Sequence, residues 1–325
     1  DGAWQGHFGD ALMYGPSYDL LSDFLYADAA LQARALAVLD SNLAMVEDAA
    51  GSIGGLIGAF SDAESLAMAM LGLLESGQFV YVPEYIQAAE RLAGVVDKLS
   101  RLVGDYLPPS LGEFAGATYG PTAISSLIAL LRLGLVISGP QDEAADNLAR
   151  AMEILENIHD VAWSEEMGMY RFAPDDDRVM LYPNATMMLA YGRLSALSDY
   201  PVFNDRVSRI YHGIQALKSE AGDHYYSPYS RDEAGAVDED YATLSSQNYL
   251  MIGLWYAWVN SGDRKYLDDV DKILGWIETH LFVDHVLKHH WVNGRTADER
   301  DTYDFCSGCN LQTLYILRVM ENNAF

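Results

Sequence analysis

A weak repeat of about 60 residues runs along this chain and constrains its fold more than any other feature. Each unit opens with a short aromatic or Gly/Pro turn, and a long apolar helix follows the turn. The openings begin at Tyr14, Phe60, Tyr119, Tyr182, Tyr241 and Phe305. Six similar units predict a ring or a solenoid in which each unit is one helical hairpin.

The predicted helices alternate in character. Helices after the aromatic openings, such as 122–137 and 249–259, are apolar on nearly all sides, which is typical of buried helices. Their partners, such as 85–102 and 266–280, are amphipathic with charged outer faces. Six buried helices inside a ring of amphipathic ones predict an all-α (α/α)6 toroid of helical hairpins. The helices predicted after residue 120 are Ala123–Val136, Asp142–Ile158, Asn184–Leu197, Phe203–Ser219, Tyr241–Asn260, Arg264–Leu281 and Cys309–Met320.

Long aromatic loops and short β-hairpins are predicted on one face of this toroid. The segments 168–172 and 178–182 predict one such hairpin across the acidic turn that follows Pro174. The chain has 325 residues, of which 50% are hydrophobic, and no change of composition divides it. We therefore expect a single domain over residues 1–325. No apolar stretch reaches the roughly 18 residues that a membrane span needs, so we expect no membrane-spanning segment.

The chain is strongly acidic. Asp and Glu number 47 against 20 Lys and Arg, for a net charge of −27. Such a surface repels phosphate backbones, so we expect no nucleic-acid partner. A neutral or cationic substrate fits this charge better, although the charge also fits a role in solubility alone.

The sequence also favours export. It begins with Asp1 and holds two cysteines, Cys306 and Cys309, and we expect an extracellular or periplasmic location. The Cys-Ser-Gly-Cys spacing favours a local disulfide or two buried thiols. Together with His289 and His290 the pair could form a Cys2His2 zinc site. The chain lacks the Cys-His-Gly motif of zinc-holding toroids, and we expect no metal and no cofactor.

One segment carries a resemblance to a known superfamily. It comprises a small-residue helix at 247–258, a Ser-Gly-Asp-x-x-Tyr-Leu corner at 261–267 and an amphipathic helix containing Ile273-Leu-Gly-Trp-Ile-Glu. This layout resembles the six-hairpin glycosidase-like (α/α)6 barrel superfamily. The resemblance implies a site at the N-termini of the inner helices and in the loops that enter them. The motifs mark hairpins, and they are the signature of no single family.

Acidic residues at the inner openings are the candidate catalytic groups. Glycoside hydrolysis needs two carboxyl groups across one bond. The densest cluster contains Asp238 and Asp240, and we expect one of them to act with Asp62, Glu64 or Asp304. The alternative is that these acids cap helices and compensate their dipoles. The acidic groups 175–177 and 268–269 could supply calcium ligands, but acidic turns are common in acidic proteins.

Aromatic residues and histidines crowd the same loops, and sugar rings stack on aromatic faces. The alternative is that these side chains pack the loops onto the barrel rim. The candidate substrate-binding residues are Trp163, Tyr225, Tyr226, Tyr229, Tyr241, His289, His290 and Trp291.

The sequence therefore predicts a carbohydrate-active enzyme that binds a glycan or an oligosaccharide and is most simply a glycoside hydrolase. A polysaccharide lyase or sugar epimerase on the same fold is one alternative, with His289, His290 or Tyr241 as the base. A toroid that binds glycan or protein without catalysis is the other.

Overall fold

The computed structural model describes the second half of the chain most fully. The described residues are 87, 90–91, 121–138, 140–174, 176–198, 200–227, 229–230, 237–238, 241–283, 286–288, 290–292, 309, 313 and 316–317. The predicted openings at Tyr14, Phe60, Tyr119 and Phe305 lie outside them. A closed toroid would also make the helices near Leu20 and Leu314 neighbours, and these residues lie outside the described part of the chain too.

The chain divides into two compact units. One comprises Asp1–Pro108, Leu127–Ile154 and Leu311–Phe325, and the other comprises Pro109–Ser126 and Leu155–Asn310. In the described part of the first unit, Arg132 Nη1 donates a hydrogen bond of 3.0 Å to Asn147 Oδ1. The contacts discussed below lie within the second unit. The single domain over residues 1–325 stays a prediction.

Six α-helices are present among the described residues. They are α1 (Pro121–Ser138), α2 (Ala144–Ala162), α3 (Leu181–Leu197), α4 (Pro201–Ile214), α5 (Leu244–Ser261) and α6 (Lys265–His280). A 3₁₀ turn, Gln215–Leu217, follows α4. None of the described helices is long and apolar enough to cross a membrane.

Nine short strands lie in the loops that connect these helices. They are β1 (Trp163–Ser164), β2 (Met169–Ala173), β3 (Asp176–Val179), β4 (Tyr229–Ser230), β5 (Val237–Asp238), β6 (Tyr241–Thr243), β7 (Phe282–Val283), β8 (Val286–Leu287) and β9 (His290–Val292). Strands β1, β2 and β3 form an antiparallel sheet, and the pairs β4–β5, β6–β9 and β7–β8 are antiparallel ladders. The predicted hairpin across Pro174 is confirmed by the pairing of β2 with β3.

Helices α3 and α5 are inner helices. Every residue of α3 from Leu181 to Leu194 is buried, and so are residues 244–255 of α5. Near their N-terminal ends they meet through an edge contact between Tyr182 and Tyr249, with ring centroids 5.0 Å apart. Near their other ends, Asn260 Nδ2 donates a hydrogen bond of 2.7 Å to Gly192 O. The two inner helices therefore run side by side and parallel.

Helices α4 and α6 are outer helices that each bury one stripe. In α6 the buried positions are Tyr266, Asp269, Val270, Ile273, Trp276 and Ile277. This spacing of three and four residues is the pattern of an amphipathic helix with one face on a core. The predicted alternation of buried and amphipathic helices is confirmed for both of these hairpins.

Four predicted helix boundaries are wrong by three residues or more. Helix α2 ends at Ala162 rather than Ile158, and α3 begins at Leu181 rather than Asn184. Residues 241–243 form strand β6, and α5 begins at Leu244. The reason is a cap: Thr243 is extended, and its side chain accepts a hydrogen bond of 3.2 Å from Ser246 N. Helix α4 ends at Ile214 rather than Ser219 because the chain tightens into the 3₁₀ turn there.

Candidate functional site

The candidate site is the N-terminal end of inner helices α3 and α5 with the loops that enter them. Polar side chains are buried at this end although the helices are otherwise apolar. Ser126 Oγ of α1 donates a hydrogen bond of 2.7 Å to Thr186 Oγ1 of α3. Asn248 Nδ2 of α5 donates one of 2.9 Å to Cys309 O. Buried polar groups are found where they have partners, and here these partners join segments of different repeats.

An amide side chain on each inner helix fastens the loop that precedes the helix. Asn184 Oδ1 accepts from Tyr170 N at 2.7 Å, and Asn184 Nδ2 donates to Tyr170 O at 3.0 Å. Gln247 makes the same pair with Tyr225, at 3.2 Å and 2.6 Å. Each amide occupies the fourth position of its helix. The repeat seen in the sequence therefore extends to a shared polar contact at the candidate site.

Two ladders contain five of the candidate residues of the loops. In the first, Tyr229 is paired with Asp238. In the second, Tyr241 pairs with Val292, Ala242 with Trp291, and Thr243 with His290. The loop after outer helix α6 thus returns to the strand that enters α5. It brings the backbone of His290 and Trp291 beside strand β6.

Trp163 is half-buried in the packing of the first hairpin. Its ring meets the edge of Tyr170 at 4.9 Å and lies 5.5 Å from the ring of His159. The Arg209 guanidinium lies over the indole at 4.8 Å. These contacts agree with the loop-packing alternative, while sugar binding by Trp163 stays a prediction.

Tyr225 does not fit its predicted role as a surface for stacking sugar. Its side chain is 0% exposed, and its hydroxyl donates a hydrogen bond of 2.7 Å to Asp269 Oδ2. Burial raises the pKa of Tyr225 well above its usual value, and the neighbouring Asp269 carboxylate adds to this. Tyr225 is therefore a structural residue of the loop. Its neighbour Tyr226 is half-buried, with an edge contact of 5.1 Å to His224, and remains a candidate.

Asp269 forms a polar centre that was not predicted from the sequence. The carboxylate accepts hydrogen bonds from Tyr225, from Tyr211 at 3.0 Å and from Lys218 at 2.7 Å. Burial alone would raise the pKa of Asp269, but the hydrogen bonds from Lys218 and Tyr225 hold the pKa below its usual value. One signal was available: an acid stands within the apolar stripe of α6, between Tyr266 and Val270.

Several predicted site residues lie outside the described residues. They are the candidate acids Asp62, Glu64, Asp240 and Asp304 and the candidate ligand His289. Asp238, Tyr229, Tyr241, His290 and Trp291 are described by their backbone positions in the ladders. Their roles stay predictions.

Cys309 is disulfide-bonded, and Cys306, which lies outside the described residues, is the only other cysteine in the sequence. A sulfur in a disulfide is not a thiolate and does not serve as a zinc ligand. The predicted alternative of two free thiols therefore does not hold for Cys309.

No protein-family model matches the sequence, and no curated protein matches it. Solved structures do. A sugar epimerase from a ruminal bacterium aligns with a TM-score of 0.59 and 14% identity, over 79% of this chain and 71% of that chain. A polysaccharide lyase aligns with a TM-score of 0.56 and 12% identity, over 81% and 75%. A family 88 glycosyl hydrolase from Bacteroides vulgatus aligns with 0.55 and 11%, over 87% and 90%.

The chain shares its fold with these three proteins. The likeness confirms the predicted fold class, an (α/α)6 toroid of helical hairpins, and agrees with the resemblance drawn from residues 247–278. At these identities the likeness concerns the fold, and the activity of this chain has to be argued from its own site.

Proposed function

We propose that this protein is a carbohydrate-active enzyme that binds a glycan at the N-terminal end of its inner helices and hydrolyses a glycosidic bond. The observation that carries the proposal is the pairing of β6 with β9. It joins the loop containing His290 and Trp291 to strand β6, which begins at Tyr241. In the sequence, Tyr241 comes directly after the segment with the acids Asp238 and Asp240. Aromatic, histidine and carboxylate residues are thus drawn to one inner opening.

The composition of this opening suits a sugar. Carbohydrates offer apolar C–H faces for aromatic rings and hydroxyl groups for polar side chains. Three proteins with this fold are described as a sugar epimerase, a polysaccharide lyase and a glycosyl hydrolase. Their shared theme supports a glycan as the ligand here. The net charge of −27 favours a neutral or amino-bearing glycan over a polyuronate.

In the proposed hydrolysis, two carboxyl groups carry out the reaction. One group protonates the leaving oxygen while the other acts as a base or as a nucleophile. We assign one of these roles to Asp238 or Asp240. The second role falls to Asp62, Glu64 or Asp304, which the sequence places at other inner openings.

A lyase or epimerase is the second candidate, and the same ladder favours it. His290 is paired with Thr243, two residues from Tyr241. A histidine and a tyrosine at neighbouring register positions are suited to remove a proton from a sugar carbon; an epimerase then returns a proton to that carbon, and a lyase passes one to the departing oxygen. Epimerisation would exchange the carbon-bound hydrogen with solvent, whereas hydrolysis would not.

Export is part of the proposal. Disulfides persist in oxidising compartments, and the disulfide at Cys309 supports an extracellular or periplasmic location.

A panel of oligosaccharides tests the proposal. It contains cellobiose, mannobiose, chitobiose and the glucosamine disaccharide, with digalacturonate as the acidic comparison. Hydrolysis is measured as new reducing ends, elimination as ultraviolet absorbance of an unsaturated product, and epimerisation as deuterium uptake from solvent. We expect new reducing ends with a neutral or amino-bearing member.

Substitution of the acids sharpens this test. Replacing the essential member of Asp238 and Asp240 with Asn should lower the rate by roughly 10²–10⁴-fold, because proton transfer is lost. Asp205→Asn is the matched control, since Asp205 is exposed on outer helix α4. If wild type binds a glycan without turning it over, and the Asp238→Asn and Asp240→Asn variants bind it equally well, the protein is a glycan-binding toroid rather than an enzyme. If wild type neither binds nor turns over any sugar of the panel, the carbohydrate assignment fails.

A further inference from the structure

Asp269 is a buried carboxylate on an outer helix, away from the candidate acids in sequence. Its residue is 4% exposed. Three donors reach it at 3.0 Å or less: Lys218 Nζ at Oδ1, and the hydroxyls of Tyr225 and Tyr211 at Oδ2. Burying a carboxylate costs free energy unless charge and hydrogen bonds compensate it. Here Lys218 and the two tyrosines do so, Lys272 Nζ lies 3.4 Å from Oδ1 as a second positive charge, and the group stays ionised at neutral pH.

Two of these donors mark the ends of one loop. Lys218 and Tyr225 face each other in an antiparallel bridge. Beside this bridge, Tyr226 N donates a hydrogen bond of 2.7 Å to Leu217 O. We call the two paired ends of this loop its neck. Asp269 therefore fastens the neck of the 218–225 loop from the outer helix, while Gln247 fastens Tyr225 from the inner helix.

The preceding hairpin fastens its loop without a carboxylate at the corresponding hydroxyl. There Tyr170 is held by Asn184, and its hydroxyl donates to Tyr191 OH at 3.1 Å and is hydrogen-bonded to His159 Nδ1 at 2.8 Å. The Tyr170 hydroxyl thus bonds no carboxylate directly, and charge enters its network one hydrogen bond further on, at Arg206, whose Nη1 donates to Tyr191 OH at 3.2 Å. Of these two loop tyrosines, Tyr225 is the one whose hydroxyl bonds a buried carboxylate directly.

The chain that leaves this neck enters the candidate site. Tyr226 and Ser227 follow Tyr225, and strand β4 then pairs Tyr229 with Asp238. A shift of the Tyr225 backbone would be passed along these few residues. The Asp269 centre is therefore linked to a predicted sugar-contacting residue and a predicted catalytic residue by a short stretch of backbone.

We propose that Asp269 is a positioning residue for glycan binding, which acts through Tyr225 and Lys218 to hold Tyr226 and the β4–β5 ladder in the geometry that the glycan meets. This inference rests on the proposed function. It assigns Asp269 no contact with the substrate and no chemical step.

The test compares Asp269→Asn with Asp271→Asn, an exposed acid two residues along α6. The first readout is native-state amide hydrogen exchange over residues 218–230, which needs no ligand. The second is KM and kcat with the panel disaccharide that wild type turns over fastest. A lost hydrogen bond to a charged group corresponds to about 10–100-fold. We expect Asp269→Asn to increase exchange in 218–230 and to raise KM by an amount in that range, with a smaller change in kcat.

Tyr225→Phe provides a second variant that removes the hydroxyl and keeps the ring and the Gln247 contacts. Tyr225→Phe should increase exchange in 218–230 and raise KM, each by less than Asp269→Asn does. In the double variant, the change in KM expressed as a free energy should be smaller than the sum of the two single-variant changes. If Asp269→Asn does not fold, Tyr225→Phe alone provides the test.

Each outcome decides the inference. A lower unfolding midpoint with wild-type exchange in 218–230 and wild-type KM would overturn it, because Asp269 would then serve stability alone. If wild type binds no panel sugar, the proposed function fails. The exchange data then decide the loop-holding part separately: faster exchange in Asp269→Asn supports it, and unchanged exchange rejects it.

Discussion

Gln247 satisfies both backbone polar groups of Tyr225, accepting from its N–H at 3.2 Å and donating to its carbonyl oxygen at 2.6 Å. The two residues are 22 positions apart in sequence and both are fully buried. This contact fixes the loop that enters the candidate site to an inner helix. Asn184 and Tyr170 repeat it in the preceding hairpin.

Gln247→Ala should destabilise the protein strongly. Two buried backbone groups would lose their partners, at a cost of about 1–3 kcal/mol each. Gln247→Glu keeps the acceptor but loses the donor, so its carboxyl should favour the protonated form in the folded state. Its stability deficit should therefore shrink as pH falls, since the folded variant binds more protons than the unfolded chain. Urea unfolding at several pH values measures both effects, and a deficit independent of pH would contradict the account.

Gly213→Ala should be destabilising because α4 touches the first hairpin there. A Cβ at Gly213 would overlap the carbonyl oxygen of Gly168 and would lie 2.7 Å from Met169 Cγ. Overpacking of this kind costs about 1–3 kcal/mol. Gly275→Ala in α6 is the control, because nothing lies within 4 Å of its added Cβ. It should gain about 0.5–1 kcal/mol from helix propensity. Thermal unfolding that ranks the two variants the other way would refute the predicted contact.

His224 should make stability depend on pH. The ring stacks on Trp276 with centroids 4.4 Å apart. Burial lowers the pKa of His224 and outweighs the opposing hydrogen bond to Asp223. The unfolded chain therefore takes up a proton first as pH falls through about 6.5, and unfolding becomes easier below that value. His224→Gln should reduce this slope, whereas His212→Gln, at an exposed position, should keep it. Equal slopes in both variants between pH 7.5 and 5, by denaturant titration, would exclude His224 as the cause.

Thr243→Ala should weaken the start of α5. The Thr243 side chain caps the helix by accepting from Ser246 N, and loss of such a cap costs about 0.5–2 kcal/mol. Thr243→Ser retains the oxygen and should stay close to wild type. The difference between the two variants in urea midpoint isolates the cap, and no difference would mean that it contributes nothing.

The inner and outer helices could be predicted because burial leaves a direct mark on sequence. Helices α3 and α5 are apolar all round, and α6 shows a single stripe. The start of α5 was placed three residues early because β6 has the same apolar character as the helix it precedes. Its pairing with β9 comes from a loop some 50 residues later, which local pattern does not reveal.

The polar contacts of the site were not predictable in the same way. Asn184 and Gln247 read as ordinary helix residues, since their partners are set by the path of the preceding loops. Tyr225 was interpreted as an exposed loop aromatic, but its hydroxyl finds Asp269, which is 44 positions away. Loop aromatics carry no sequence mark that separates a ring offered to a ligand from one that seats the loop.

Hydrogen exchange with and without a bound panel disaccharide tests the central claim most directly. We propose that the glycan binds where the loops enter the inner helices. The account predicts slower exchange in 163–179, 225–243 and 286–292, with no change in the turns at 198–200 and 261–264 at the other ends of α3 and α5. Protection confined to those turns, or protection by no sugar of the panel, would contradict it.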